Sequence, residues 1–255
     1  MTKSLPERAI VLRALLYDAG KAALACIGTD LEIRRKADES PVTKADLAAE
    51  RILLAGLARH WPNDAIASEE AGGCGAPGGT ARWVVDPIDG TSAFTEGLAH
   101  WGPTMARIAE GRLDCGALWL PRLDEHYHVE GGHGWYNSRL MPRLPADLPA
   151  VIYLPSRFHL HFRLRYGGKT RCLGGTAAHL ALLARGAGSA AIVAPGWSLW
   201  DTAAGLGLIE ATGGVALRLE DGAPLDPCRD EGAAFIAGAA DLVAELARSG
   251  RIVPL

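Results

Sequence analysis

Carboxylates dominate the part of this sequence that is equipped for chemistry. Asp86 and Asp89 stand three apart in Asp86-Pro87-Ile88-Asp89-Gly90-Thr91, and Glu69-Glu70 closes the apolar run AIASEE. Asp201 lies far downstream in WSLWDTAAGLGLIEATGG. Pro87 restricts the chain and Gly90 permits a tight turn, so both aspartates can point to one side of it with the Ile88 carbonyl between them. Several acidic oxygens brought together suit hard divalent cations such as magnesium. Gly90 and Thr91 would open a helix whose backbone N–H groups can hold a phosphate. Cation site and phosphate cradle together point to hydrolysis of a phosphate monoester, commonly solved with two ions about 3.5–4 Å apart. The plainer reading is that such an acidic string is a turn with exposed acids, and that Asp201 is a helix N-cap, a role compatible with being a ligand.

The elements that must position these residues follow from periodicity and caps. Glu7 to Cys26 carries apolar residues at helical spacing, and a short strand is predicted at Leu31–Arg35. Thr43 can cap a second helix to about His60, with Asp46 in its first turn and Trp61-Pro62-Asn63-Asp64 as its stop. AIASEE reads as a buried strand ending in acids. AGGCGAPGG lacks the Gly-Lys-Ser/Thr ending of a P-loop and reads as a surface loop. Arg82–Val85 is predicted as a strand ended by the acidic turn, with further strands between Thr104 and Val129. Leu144–Pro149 is the expected seam. Beyond it AVIYLP and SAAIVA read as strands alternating with helices near Thr176–Arg185 and Thr202–Ala211, an α/β pattern.

Composition sets the bounds. With 255 residues, 49% hydrophobic and 22% charged, the chain can bury a sizeable core in one large domain or two lobes. A net charge of −3 gives no pull toward nucleic-acid polymers or anionic membrane, and no run approaches the ~20 apolar residues of a spanning helix. The start MTKSLPERAIVLRALL does not read as a secretory leader, and Cys26, Cys74, Cys115, Cys172 and Cys228 are odd in number and scattered. The expectation is a cytoplasmic protein with reduced thiols.

The combination VTKAD, SEE, DPIDGT, WDTAAG and EATGG, in this order from Lys36 to Gly214, resembles the signatures of the inositol monophosphatase superfamily. The resemblance implies the layered αβαβα sandwich shared with fructose-1,6-bisphosphatase: an α+β half over residues 1–143 and an α/β half over 144–255. It implies two or three magnesium ions, held by Glu69, Asp86 and the carbonyl of Ile88 on one side and by Asp86, Asp89 and Asp201 on the other. Thr91, bonded to Asp46, would orient the attacking water, and the Gly90 and Thr91 amides would bind phosphate. Glu70 would stand behind the ligands, and Lys36 would fall in a loop near the metals.

Gly175, Thr176 and Ala177 resemble the turn beside the substrate's hydroxyls, while the position that often carries an acid for an inositol ring falls on Ala194. A methyl group accepts no hydrogen bond, so the implied substrate widens to small phosphorylated metabolites. FTEGLAHWGPT resembles histidinol-phosphate phosphatases, and WDTAAG also occurs in the branch acting on adenosine 3′,5′-bisphosphate. Arg157, His159, His161, Arg163 and Arg165 could meet a second phosphate or form a solvated face. His126/His128 and His159/His161 are candidate zinc pairs on strands, and Trp101, Trp197 and Trp200 are expected to be core or rim. Homodimers are common among such proteins, and the pairing face is left open. Two other classes remain: a metal-binding module without turnover, and a sugar- or nucleotide-binding domain without metal, which would leave the carboxylates repelling one another.

Overall fold

The computed structural model describes residues 4–36, 40–75 and 81–255, with backbone alone at 74 and 75. The part of the Gly-rich stretch at 76–80, residues 37–39 after Lys36, and the first three residues lie outside the described residues.

In chain order the first half runs α1 (Glu7–Ala25), β1 (Arg34–Arg35), β2 (Pro41–Val42), α2 (Lys44–His60), β3 (Ala65–Ser68), β4 (Gly72–Gly75) and β5 (Ala81–Asp89). It continues α3 (Thr91–Thr95), β6 (Gly102–Ala109), β7 (Arg112–Leu120), β8 (Glu125–Glu130), β9 (His133–Tyr136) and β10 (Arg139–Leu140). Strands β3 to β10 form one sheet in the order β10-β9-β8-β7-β6-β5-β3-β4, antiparallel except where β3 meets β5. Strand alternation decides what each face buries. Trp83, Val85, Cys115, Ala117 and Trp119 pack with Leu12, Leu16, Leu53 and Leu57 of α1 and α2. Val84, Leu118 and Leu120 face the opposite way, into the core against α4 (Thr176–Ala184) and α5 (Leu199–Ala211).

The second half adds β11 (Val151–Tyr153), a 3-10 turn (Phe158–Leu160), β12 (Phe162–Leu164), β13 (Lys169–Arg171), β14 (Ala190–Val193), β15 (Val215–Arg218), β16 (Phe235–Gly238), α6 (Ala240–Arg248) and β17 (Ile252–Pro254). Its five-stranded sheet has the order β13-β11-β14-β16-β15. Helices α4 and α5 lie between the two sheets, and α6 covers the outer face of the smaller one through Val243 and Leu246. The result is an αβαβα sandwich. Residues 141–150, which join the halves, carry no helix or strand.

Several local expectations change. The polyglycine stretch is not only a loop, because Gly72–Gly75 pairs antiparallel with β3 as an edge strand, held by backbone bonds that leave no side-chain pattern to read. The strand expected at Arg82–Val85 runs on to Asp89, with a register shift between Asp86 and Asp89 where it passes β6. Of Leu31–Arg35 only Arg34–Arg35 is extended into a strand. The smaller sheet is mixed, since β14, β16 and β15 pair antiparallel. His159 lies in the 3-10 turn and not on a strand. His126 and His128 are buried on β8, where His126 stacks on Trp119 and His128 meets Glu130 at 3.1 Å. Trp101 and Trp197 are buried in separate core clusters, and Trp200 packs against the one that holds Trp197.

Candidate active site

Three elements converge on one cleft of about 510 Å³. Strand β5 delivers Asp86 and Asp89, the turn after β3 delivers Glu69, and the first turn of α5 delivers Asp201. Asp86, Asp89 and Asp201 each place a carboxylate oxygen within 4.8 Å of the others. The bulge between Asp86 and Asp89 puts both on the cleft side although they are three residues apart.

Each carboxylate is fixed by its own local chemistry. Asp86 Oδ1 accepts the Ile88 amide at 2.8 Å. Asp89 receives the start of α4, from Thr176 N at 3.0 Å and Ala178 N at 3.4 Å. Ser198, and not Asp201 as expected, is the N-cap of α5, which begins at Leu199; the two form a capping box in which Ser198 N donates to Asp201 Oδ2 at 2.7 Å. That helix start is anchored by Leu199 N donating to Glu231 at 2.8 Å and by Trp197 Nε1 donating to the Ala233 carbonyl at 2.6 Å. The turn carrying Glu69 and Glu70 is braced by Glu50 of α2, which accepts from Ser68 Oγ and from Ala71 N at 2.9 Å.

Thr91 begins α3 behind Gly90, whose φ of 87° is the left-handed conformation that favours glycine. A β-carbon at Gly90 would also meet Gly175 N at 2.8 Å. Thr91 Oγ1 lies 3.0 Å from Asp46 Oδ1 and 3.2 Å from the Ile88 carbonyl, and it can donate to either. Asp46 is in turn held by Thr43, which donates its amide at 2.8 Å and its hydroxyl at 2.6 Å while capping α2.

The electrostatics of the cluster are those of crowded, desolvated acids. Burial, then Glu69, Asp89 and Asp201, raise the Asp86 pKa well above the carboxylate range. Asp89 is raised by burial and by Asp201, against the opposing pull of the α4 amides. Burial lifts Asp201 to about 7 and also raises Asp46. Such groups give up their protons when a cation takes their place. An all-oxygen donor set this dense fits a hard divalent metal.

Lys36 bridges Glu69 at 2.7 Å and Glu70 at 2.6 Å. Burial lowers its pKa, but the two carboxylates outweigh that and the net shift is upward. Glu70 is pushed to about 7 by burial in spite of the lysine. Glu70 does not line the cleft; Glu69 does.

Not every residue singled out from sequence reaches the cleft. Ile88, Gly90, Thr91, Gly175 and Thr176 line it. The Thr176 amide is committed to Asp89. Ala177 is buried in the core between the sheets, and Ala194 packs on the apolar cluster beneath α6 beside the lining residues Ile192 and Val193. The sequence reading overlooked His179, a cleft-lining residue whose one signal was a histidine in the otherwise apolar run Ala177–Ala184.

Comparison with known proteins agrees with this fold. The chain is 32% identical over 217 residues to a histidinol-phosphatase of Chlorobaculum parvum, covering 78% of this chain and 81% of that one. It is 29% identical over 207 residues to an inositol-1-monophosphatase of Mesorhizobium japonicum, covering 76% and 77%. A shorter match, 38% identical over 120 residues, covers 47% of this chain and 46% of a Streptomyces griseus protein named glucose-1-phosphate thymidylyltransferase, so the chain spans about half of that relative's length. The fold superposes on the extragenic suppressor protein suhB of Bartonella henselae with a TM-score of 0.85 at 23% identity, over 96% of this chain and 98% of that one. Among the described residues no helix is long and apolar enough to cross a membrane. The model of the inositol monophosphatase family matches residues 5–249, and the chain belongs to that family of metal-dependent phosphatases, the phosphoric monoester hydrolases.

Proposed function

We propose that this protein hydrolyses a small phosphorylated metabolite with two or three magnesium ions held in the cleft. The observation that carries this reading is the convergence of buried Asp86 and Asp89 with Asp201. Glu69, Asp86 and the Ile88 carbonyl are assigned to one ion, and Asp86, Asp89 and Asp201 to another. Bound cations would supply activation of a water and neutralisation of the leaving oxygen.

The chain's own groups do the rest. Thr91 Oγ1, when its proton goes to Asp46, keeps lone pairs that accept a hydrogen bond from the attacking water and aim it. Burial raises the pKa of Asp46, against the hydrogen bonds it accepts from Thr43 and Thr91. Backbone amides at Gly90 and Thr91 are assigned to the phosphate oxygens, and the Thr176 amide keeps Asp89 oriented. Lys36, tied to Glu69 and Glu70, brings one positive charge to the acidic edge.

The substrate is read as a small phosphomonoester of the inositol phosphate type. Histidinol phosphate is the second reading, favoured by the 32% identity to a histidinol-phosphatase; adenosine 3′,5′-bisphosphate is a third. A cytoplasmic location is inferred from the thiols of Cys26, Cys115, Cys172 and Cys228, which form no disulfide. A homodimer is compatible with this reading. The test is phosphate release from inositol 1-phosphate, histidinol phosphate, fructose 1,6-bisphosphate and adenosine 3′,5′-bisphosphate, with and without magnesium. Magnesium-dependent turnover of one compound supports the assignment and selects among the substrates. Tight magnesium binding with no turnover of any would favour a binding module instead.

A further inference from the structure

Helix α4 is apolar except for Thr176 at its first position and His179 one turn later, on the same side of the helix. The amide of Thr176 reaches Asp89, so His179 stands one helical turn from the residue whose amide holds Asp89. His179 is only 4% exposed, yet it lines the cleft. Its ring stacks on Tyr153 with centroids 5.1 Å apart and planes at 13°. Tyr153 is itself pinned by its hydroxyl donating to the Ala187 carbonyl at 2.9 Å. The imidazole is therefore held in place on its face.

The tautomer follows from the remaining contact. His179 Nε2 accepts the Leu173 amide at 3.0 Å, and a nitrogen that accepts an N–H carries no proton. The neutral ring must then carry its proton on Nδ1. Burial pushes the pKa of His179 down to about 4, so the ring stays neutral near pH 7. One uncharged donor of fixed orientation results.

The charges around the cleft bear on what that donor meets. Among the described residues no lysine or arginine lines it, while Glu96 does. Of the undescribed residues 1–3, 37–39 and 76–80, Lys3 alone is a lysine or arginine. Arg171, next to the lining residue Cys172, donates to its own neighbour, the Thr170 carbonyl, at 2.8 Å. A leaving group bearing a second phosphate would find no cationic partner among the lining residues, whereas a hydroxylated, uncharged one would find a neutral donor.

We propose that His179 is a specificity-determining residue of this site, its Nδ1–H donating to a hydroxyl oxygen of an uncharged, polyhydroxylated leaving group. The proposal rests on the phosphatase reading above. It differs from a purely structural role, in which His179 would only brace the loop at Leu173.

The experiment compares two esters of the same carbon skeleton, glycerol 1-phosphate and propyl phosphate, at saturating magnesium. Wild-type protein is expected to favour the hydroxylated ester in kcat/KM by about tenfold, the worth of one good hydrogen bond. His179→Phe keeps the stacked ring and removes the donor. Its preference is expected to fall to near unity, with kcat/KM lost about tenfold more on glycerol 1-phosphate than on propyl phosphate. His179→Asn, whose amide overlays Nδ1 and so keeps a donor for the substrate while giving up the acceptor for Leu173, is expected to recover part of the preference. It carries the test if the Phe variant does not fold, which near-UV circular dichroism reports. Equal loss on both esters in the folded variants would overturn the proposal in favour of the brace. An unchanged preference would also overturn it. Failure of wild-type protein to hydrolyse either ester or any compound of the substrate panel would instead bring down the phosphatase reading on which it stands.

Discussion

Gly175 lies against Asp89: a β-carbon at position 175 would stand 2.0 Å from Asp89 Oδ2. The backbone of Gly175, at φ −65° and ψ 154°, is one that any residue adopts. The demand for glycine is therefore one of close approach between the two halves, at the point where α4 presents its amides to the acidic cluster. Gly175→Ala is expected to displace Asp89, abolish most turnover and destabilise the fold by about 1–3 kcal/mol, the usual cost of overpacking. Gly167→Ala, whose added β-carbon meets nothing within 4 Å, serves as the control and should leave both properties unchanged. Activity and thermal denaturation of the pair check this, and an active Gly175→Ala protein would show that the contact has slack.

Asp89→Asn keeps an acceptor for the Thr176 amide and removes a charge from a buried acidic group. Loss of a cation ligand is expected to cost several kcal/mol of transition-state stabilisation, or roughly a thousandfold in rate. The melting temperature without metal should hold or rise, because Asp201 loses a neighbouring repulsion. Near-normal turnover at saturating magnesium would remove Asp89 from the ligand set.

Metal binding should stabilise the protein in a pH-dependent way. Asp201 is raised to about 7, with Asp86 and Asp89 also raised, whereas in the unfolded chain these acids titrate near 4. Between about pH 4 and 7 the native protein without metal thus holds protons that the unfolded chain has released. This contribution to stability is present below pH 4 and is lost as pH rises through 7. A cation that replaces those protons binds best above that range. At a hundredfold excess over its dissociation constant, magnesium should add about 2.7 kcal/mol at pH 8. That corresponds to a rise of roughly 5–10 °C in Tm, and the rise should be much smaller at pH 5.5. Scanning calorimetry at both values, with and without magnesium, measures it, and equal shifts would contradict the assignment.

Thr91→Val is nearly isosteric and deletes the hydroxyl that meets Asp46. Turnover is expected to fall about a hundredfold with little change in KM, since the hydroxyl is assigned to the attacking water and not to the substrate. Thr91→Ser, which keeps the hydroxyl, should recover most of the rate. Steady-state kinetics decide it, and a loss confined to KM would move Thr91 to a binding role.

What was legible in the sequence was local. Thr43 caps α2 with Asp46 in the capping box, and Trp61 and Pro62 end that helix. Each depends on groups a few residues apart, so the sequence states them directly. Apolar spacing marked α1 and the buried strands in the same way. Glycine hid β4, because an edge strand made of Gly72–Gly75 shows no side-chain alternation, and the bulge that extends β5 through Asp89 looks like a turn when read one residue at a time.

The amino-acid sequence by itself determined the acidic inventory, the cap that aims Asp46, and the order of motifs that carries the family resemblance. Only the tertiary structure decided which of these groups meet. The Thr91–Asp46 contact closes over 45 residues, and Thr176 N to Asp89 over 87. It also decided that Lys36 is tied to Glu69 and Glu70, that Ala194 packs beneath α6, and that His179 lines the cleft while its Nε2 accepts the Leu173 amide. Such contacts are set by how two sheets pack on α4 and α5, and no local periodicity records the distance between residues that the chain keeps far apart.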